Sequence, residues 1–222
     1  MLVRFACRFR NLAVLIPLLP LLAAASFSAA QQPWHQPPAQ EYIRILEDPH
    51  RIAHLKPQEI IKTLGLKQGD VAADVGSGSG LFTRLMAQTV KPGGKVYAVD
   101  IDKELLKHVA KTAAEQGITN ITTILGEPDS PQLPRDSLDL ALICDTLHHI
   151  EKRERYLENL KPAPKRSGRL AIIDFSDDWP AGHEPMRFSL ENLNEWTSRA
   201  GYVLSAEYNS VPGNFFRIYR LR

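Results

Sequence analysis

Residues 74–80 read DVGSGSG, an acidic side chain followed by three glycines at every second position. Gly76, Gly78 and Gly80 carry no Cβ, so the backbone there can take turn conformations closed to other residues and can lie against a ligand. The apolar, β-rich run DVAADV precedes them and a helical stretch opens near Leu81, which makes this a strand-to-helix turn. Two phosphate chemistries do not fit. A dinucleotide fingerprint is G-x-G-x-x-G, and Leu81 stands where its last glycine belongs; a phosphate loop continues into Gly-Lys-Ser/Thr, and no lysine follows Gly80. Asp74 would repel a pyrophosphate and suits a cation or an amino group. Taken alone, the glycines also fit a plain tight turn. Asp100, which closes the next apolar run KVYAVD, narrows the choice. An acid at the end of a second strand can accept hydrogen bonds from both hydroxyls of a ribose.

These residues need a sheet to hold them, and the pattern along the chain supplies one. Short β-rich runs (DVAADV, KVYAVD, NITTIL, LDLALICD, GRLAIIDF) alternate with helical stretches near Pro57–Leu64, Leu81–Val90, Lys103–Gln116 and Glu151–Leu160. That alternation is the mark of an α/β domain around a parallel sheet. The strands are nearly continuous in apolar residues, as expected when both faces are covered. After a further helix near Leu190–Ala200, YVLSAEYNS and FFRIYRLR are joined by VPGN and read as an antiparallel hairpin.

The first 30 residues have another character. Arg4, Arg8 and Arg10 precede an apolar run from Leu12 to Ala25, and Ser28-Ala29-Ala30 offers a cleavage site before Gln31. This is the layout of a secretory signal peptide, so the protein is expected to be exported, periplasmic or secreted. A mitochondrial presequence and a membrane tether through an uncleaved signal are the alternatives. The apolar run is shorter than the roughly 20 residues of a spanning helix. Residues 31–55 read as an N-terminal arm and cap, the QQPWHQPPAQ stretch being extended, and residues 56–222 as the main domain. Beyond the leader the charge is nearly balanced, since three of the 27 Lys and Arg lie in it and none of the 25 Asp and Glu do. No basic stripe is present to follow a phosphate backbone, which argues against a nucleic-acid partner. Cys144 is the one cysteine beyond the leader. It can form no internal disulfide and reads as a buried thiol.

Acid, three glycines, helix, strand, acid, with a terminal hairpin: from Lys56 to Arg222 the chain resembles the class I S-adenosylmethionine-dependent methyltransferases. DTLHHI at 145–150 and GRLAIIDF at 168–175 look like the corresponding stretches of small-molecule members such as the quinone C-methyltransferases. The resemblance implies an α/β fold, a Rossmann-like doubly wound and mostly parallel seven-stranded sheet ending in an antiparallel hairpin. It implies S-adenosyl-L-methionine as cofactor and a small, apolar or aromatic methyl acceptor as partner. By the same resemblance Asp74 would hold the methionine ammonium, while Gly76, Ser77, Gly78 and Gly80 pass close to the cofactor. Asp100 would take the ribose hydroxyls, Ile101 would pack on adenine, Glu127 or its rival Asp129 would accept from the adenine amino group, and Asp145 would lie beside the sulfonium.

Methyl transfer needs alignment and exclusion of water, and a general base only where the acceptor must lose a proton. His148, His149 and His183 are the candidates, with at most one of the adjacent pair expected to face the cofactor and His149 and His183 the ones carried forward, each also readable as a structural or solvated histidine. Neighbouring His148 and His149 are expected to point to different sides, and no third ligand at useful spacing accompanies them, so no metal centre is expected. Trp34, His35, Tyr42, Trp179, Phe188, Phe215 and Phe216 could form an aromatic substrate wall, or ordinary core and arm. Two other readings compete: an exported, non-catalytic nucleoside- or small-ligand-binding protein, and a nicotinamide dehydrogenase. The incomplete glycine fingerprint disfavours the second.

Overall fold

The computed structural model describes residues 37–177 and 179–222. The expected leader, residues 31–36 of the arm, and Trp34 and His35 within it lie outside the described residues. Among the described residues no helix is long and apolar enough to cross a membrane.

Seven strands form one sheet in the order β3-β2-β1-β4-β5-β7-β6. They are β1 Val71–Val75, β2 Lys95–Asp100, β3 Ile121–Leu125, β4 Leu138–Cys144, β5 Pro164–Phe175, β6 Tyr202–Tyr208 and β7 Asn214–Leu221. The first five pair in parallel, while β7 runs antiparallel to both β5 and β6. Chain order reverses between β1 and β4, so the carboxyl ends of these two neighbours diverge into a crevice, where ligands bind in open α/β sheets. This is the Rossmann-like doubly wound sheet with a terminal hairpin.

Helices cover both faces: α1 Ala39–Leu46, α2 Pro49–Leu55, α3 Pro57–Leu64, α4 Leu81–Thr89, α5 Lys103–Glu115, α6 Arg153–Leu160 and α7 Leu190–Arg199. Alternation along the strands feeds two cores. Ala72, Leu140 and Leu142 join Ile60, Leu64 and Met86 on one face; Ala73, Ala141 and Ile143 join Leu157, Leu160 and Leu170 on the other. Each fully buried Leu, Ile or Met among them contributes about 1.5–3 kcal/mol.

Two elements depart from the sequence pattern, the first of them beside the site. The cap region is helical from Ala39: Asp48 accepts from the amides of His50 and Arg51 at the start of α2, with Pro49 in its first turn. A side-chain acceptor followed by proline is a helix-start signal. Strand β5 begins four residues before Gly168, because the polar PKRS stretch continues beside β4 past an irregularity at Leu138–Leu140, where Lys165 pairs with Asp139 at 2.7 Å.

Candidate active site

At the end of β1 the chain turns sharply through Gly76, Gly78 and Gly80, with φ of 74°, 53° and 82°. The amides of Gly76 and Ser77 donate to the Val99 carbonyl at 2.8 and 2.9 Å, which pins the turn to β2. The Gly78 amide donates to Asp100 Oδ2 at 2.9 Å, while Asp100 Oδ1 accepts from the Asp102 amide at 3.0 Å. Glycine is required here for two reasons. A Cβ on Gly76 would run into the Thr146 side chain, and one on Gly78 would come within 2.7 Å of Leu46 Cδ1. Positive φ adds to the cost for any other residue.

Behind the turn, Asp74 accepts the Thr83 hydroxyl at 2.5 Å. Burial pushes its pKa up from 3.8 to about 6, against the pull of Thr83. Burial likewise raises Asp100, against the amides of Asp102 and Gly78, and raises Asp145, against the charge of Arg51. Three acids held partly against their ionised form create demand for a cationic ligand end.

A cavity of about 1140 Å³ is lined by this turn and by Asp100, Ile101, Glu127, Asp145 and His149. Ile101 is 60% exposed, an apolar surface placed for a planar ring. Asp129 is drawn to Arg155 at 3.2 Å and its carbonyl to Asn159. Glu127, held by a backbone bridge to Ser130, has no side-chain partner among the described residues. The structure therefore brings Asp74, Gly76, Ser77, Gly78, Asp100, Ile101, Glu127 and Asp145 together around one cavity, whereas Gly80 is not in its lining and faces Val109 and Arg84 instead. Buried Ser77 Oγ has no hydrogen-bond partner among the described residues. A cradle of glycine, an orphaned hydroxyl and acids spaced along the strand ends fits a nucleoside with a cationic tail.

Asp145 has a second attachment that the sequence did not show. Arg51 of α2 reaches it at 2.8 Å and Asn214 of β7 donates at 3.0 Å, tying the cap and the hairpin to the end of β4. With Tyr42 and Leu46, Arg51 forms the cap's side of the cavity.

The opposite end holds imidazoles. Leu147–His149 forms a 3-10 turn, and its tight winding places both rings on one side, 4.0 Å apart between centroids. The expectation that His148 and His149 diverge is thus corrected; it assumed extended backbone. His183, from the loop between β5 and α7, lies 5.3 Å from each ring. It supplies the third imidazole that spacing along the chain did not reveal. His148 is 2% exposed and its Nδ1 lies 2.7 Å from Asp174 Oδ1. Asp174 also accepts from the amides of His148 and Phe175. Burial raises the Asp174 pKa to about 7, against those amides. Two amide donors favour the carboxylate, so the His148 proton belongs on Nδ1 and the lone pair on Nε2. Burial, then the neighbouring histidines, lowers the pKa of His149 to about 3; burial and His183 lower that of His148 to about 3. Both are neutral rings and weak bases.

Arg153 clamps this arrangement, donating to the carbonyls of Leu147, His148 and Met186 at 3.1, 2.7 and 2.9 Å. Trp179 packs on His148, Phe175 and Phe188, so these aromatics support the loop. Phe215 and Phe216 belong to the core. The apolar lining comes instead from Leu46, Phe82, Tyr156 and Met186.

Residues 73–172 match the methyltransferase domain family. A ubiquinone/menaquinone biosynthesis C-methyltransferase of Ectopseudomonas mendocina is 26% identical over 117 residues, 52% of this chain and 46% of its own length. A demethylmenaquinone methyltransferase of Anoxybacillus flavithermus is 23% identical over 132 residues, 60% of this chain and 56% of its own. The chain spans about half the length of the curated relatives it matches. An S-adenosylmethionine-dependent methyltransferase from Aquifex aeolicus superposes with a TM-score of 0.76 at 25% identity, covering 84% of this chain and all of that one. The [4+2]-cyclase SpnF gives 0.66 at 14% identity over 77% of this chain and 81% of its own, a likeness of fold alone. By fold, cavity and comparisons the chain is similar to the class I S-adenosylmethionine-dependent methyltransferases, whose cofactor, S-adenosylmethionine, the residues of the cavity fit.

Proposed function

We propose that the protein methylates a small apolar or aromatic molecule, with hydroquinones and phenols the first acceptors to test. One observation carries this reading: a single cavity of about 1140 Å³ is lined both by the glycine turn and by the apolar side chains of Leu46, Phe82, Tyr156 and Met186. Single-ligand sites commonly measure about 300–1,000 Å³. The space suits two ligands side by side.

When bound, the cofactor supplies an activated methyl group. The chain's own work is placement. Asp74 would hold the ammonium, Asp100 the ribose diol and Glu127 the adenine amino group, while the apolar walls would keep water away from the reacting end. His149 borders the chamber and is placed to hold an acceptor hydroxyl by a hydrogen bond. As a ring lowered to about 3 by burial, it is a poor general base by itself.

Release of S-adenosylhomocysteine by the purified chain, measured against hydroquinones, phenols and thiols, tests the reading. Turnover with an apolar phenolic or hydroquinone acceptor is expected. A chain that binds S-adenosylhomocysteine yet methylates none of them would favour a binding protein. The proposal extends to an exported location, supported by the composition of residues 1–30. Fractionation that found the native chain in the cytosol would remove that part alone.

A further inference from the structure

The geometry points to a transition-metal site made by His148, His149 and His183, taking one Zn²⁺-like divalent ion with an open coordination position toward the acceptor chamber. One donor atom from each of the three imidazoles can be chosen such that all lie within 4.8 Å of one another. Zinc holds nitrogen at about 2.0–2.1 Å, which sets tetrahedral donor edges of about 3.4 Å. The cluster needs to tighten by about 1.5 Å at its widest edge, and His183, on a loop, is the ring free of strand or helix to do so.

Three features separate this cluster from an ordinary packed group of rings. First, His148 Nδ1 is held by Asp174 at 2.7 Å. A carboxylate on the far nitrogen fixes the tautomer and aims the lone pair, the usual support of a metal-bound histidine. Second, His148 Nε2 is buried without a hydrogen-bond partner among the described residues, although the side chain is only 1% exposed. A buried lone pair left unused is unfavourable, and coordination would satisfy it. Third, Arg153 fastens the 3-10 turn to the His183 loop through three carbonyls, so chain segments far apart in sequence are brought into one donor set.

Imidazole donors suit zinc, copper, iron and nickel, whereas magnesium and calcium prefer oxygen. Three protein ligands leave a fourth position, the arrangement of catalytic rather than structural zinc. His148 and His149 both border the cavity, so that position faces the chamber. A hydroxyl or thiol acceptor could occupy it. This last step rests on the methyl-transfer reading; metal binding does not. The positive Arg153 opposes a cation here, while Asp174 and the nearby Asp145 favour one.

The test uses the full chain, untagged and stripped with a chelator, titrated with Zn²⁺ against a competing indicator and with Co²⁺ followed by visible absorption. One equivalent per chain and the intense ligand-field bands of tetrahedral cobalt are expected. Asp174→Asn should weaken Zn²⁺ about 10- to 100-fold at unchanged stoichiometry, and His183→Ala should weaken it further. His183 lies outside the core, so its variant should fold; if its melting differs from the parent's, His149→Gln replaces it. Zn²⁺ bound no more tightly by the parent than by the folded variant, or weak octahedral cobalt bands in both, would overturn the site. S-adenosylhomocysteine binding measured on the same samples keeps the two ideas apart, because either can fail while the other holds.

Discussion

Replacing Asp74 with Asn separates what this carboxyl costs the fold from what it gives the cofactor. Asp74 is 2% exposed, and burial raises its pKa from 3.8 to about 6. A carboxyl whose folded pKa exceeds its unfolded value stabilises most when protonated, below about pH 4, and loses that contribution as pH rises through about 6. Two pKa units correspond to about 3 kcal/mol. Asn keeps an oxygen for the Thr83 hydroxyl and carries no charge. Asp74→Asn should therefore match the parent near pH 4 and exceed it above pH 7 by up to about 3 kcal/mol, a rise of about 6–12 °C in Tm for a chain of this size. Thermal unfolding of both proteins without cofactor, from about pH 4 to about pH 8, reads the difference. At neutral pH the variant should bind S-adenosylhomocysteine about 10- to 100-fold more weakly, the worth of a charged hydrogen bond. Melting curves that shift in parallel at every pH would refute the buried, raised carboxyl. A variant that is stabilised but binds undiminished would remove Asp74 from the ammonium site.

Two further substitutions test the turn and the cap. Gly78→Val places a branched side chain at φ 53° and against Leu46; it should abolish cofactor binding in calorimetry while costing only about 1–2 kcal/mol of stability, because the end of the Leu46 side chain can move. Arg51→Met leaves the buried Asp145 carboxyl with only Asn214 among the described residues. It should lower stability by about 3 kcal/mol in denaturant unfolding, the low end for a broken pair because the Arg51 side chain is 26% exposed. Adding Asp145→Asn should recover part of that loss.

How far the sequence revealed the molecule depended on the distance over which each feature is encoded. KVYAVD became β2 without a residue's change, and the other strands were legible to within one or two positions except the start of β5. Parallel strands covered on both faces are continuous apolar words. The polar PKRS stretch carries no such word; it pairs with β4 through tertiary contacts that include the Lys165–Asp139 ion pair. The cofactor half of the site was legible for the same reason as β2, since Asp74, the glycines and Asp100 belong to one β-α-β unit. The acceptor half was not. His148 and Asp174 are 26 residues apart, and Arg51 and Asp145 are 94. No periodicity links such pairs, and only the assembled sheet ends bring them together. Phe215 and Phe216 looked available for a substrate wall because alternation cannot say which face of a hairpin meets a ligand; both pack inward.

The glycine turn and its acids are the proposed cofactor site. Calorimetric titration of the full chain with S-adenosylmethionine and S-adenosylhomocysteine tests this most directly. Saturable binding of both at one site per chain, lost in Gly78→Val, is the predicted result. No heat from either ligand at millimolar concentration, from a chain shown to be folded, would contradict it.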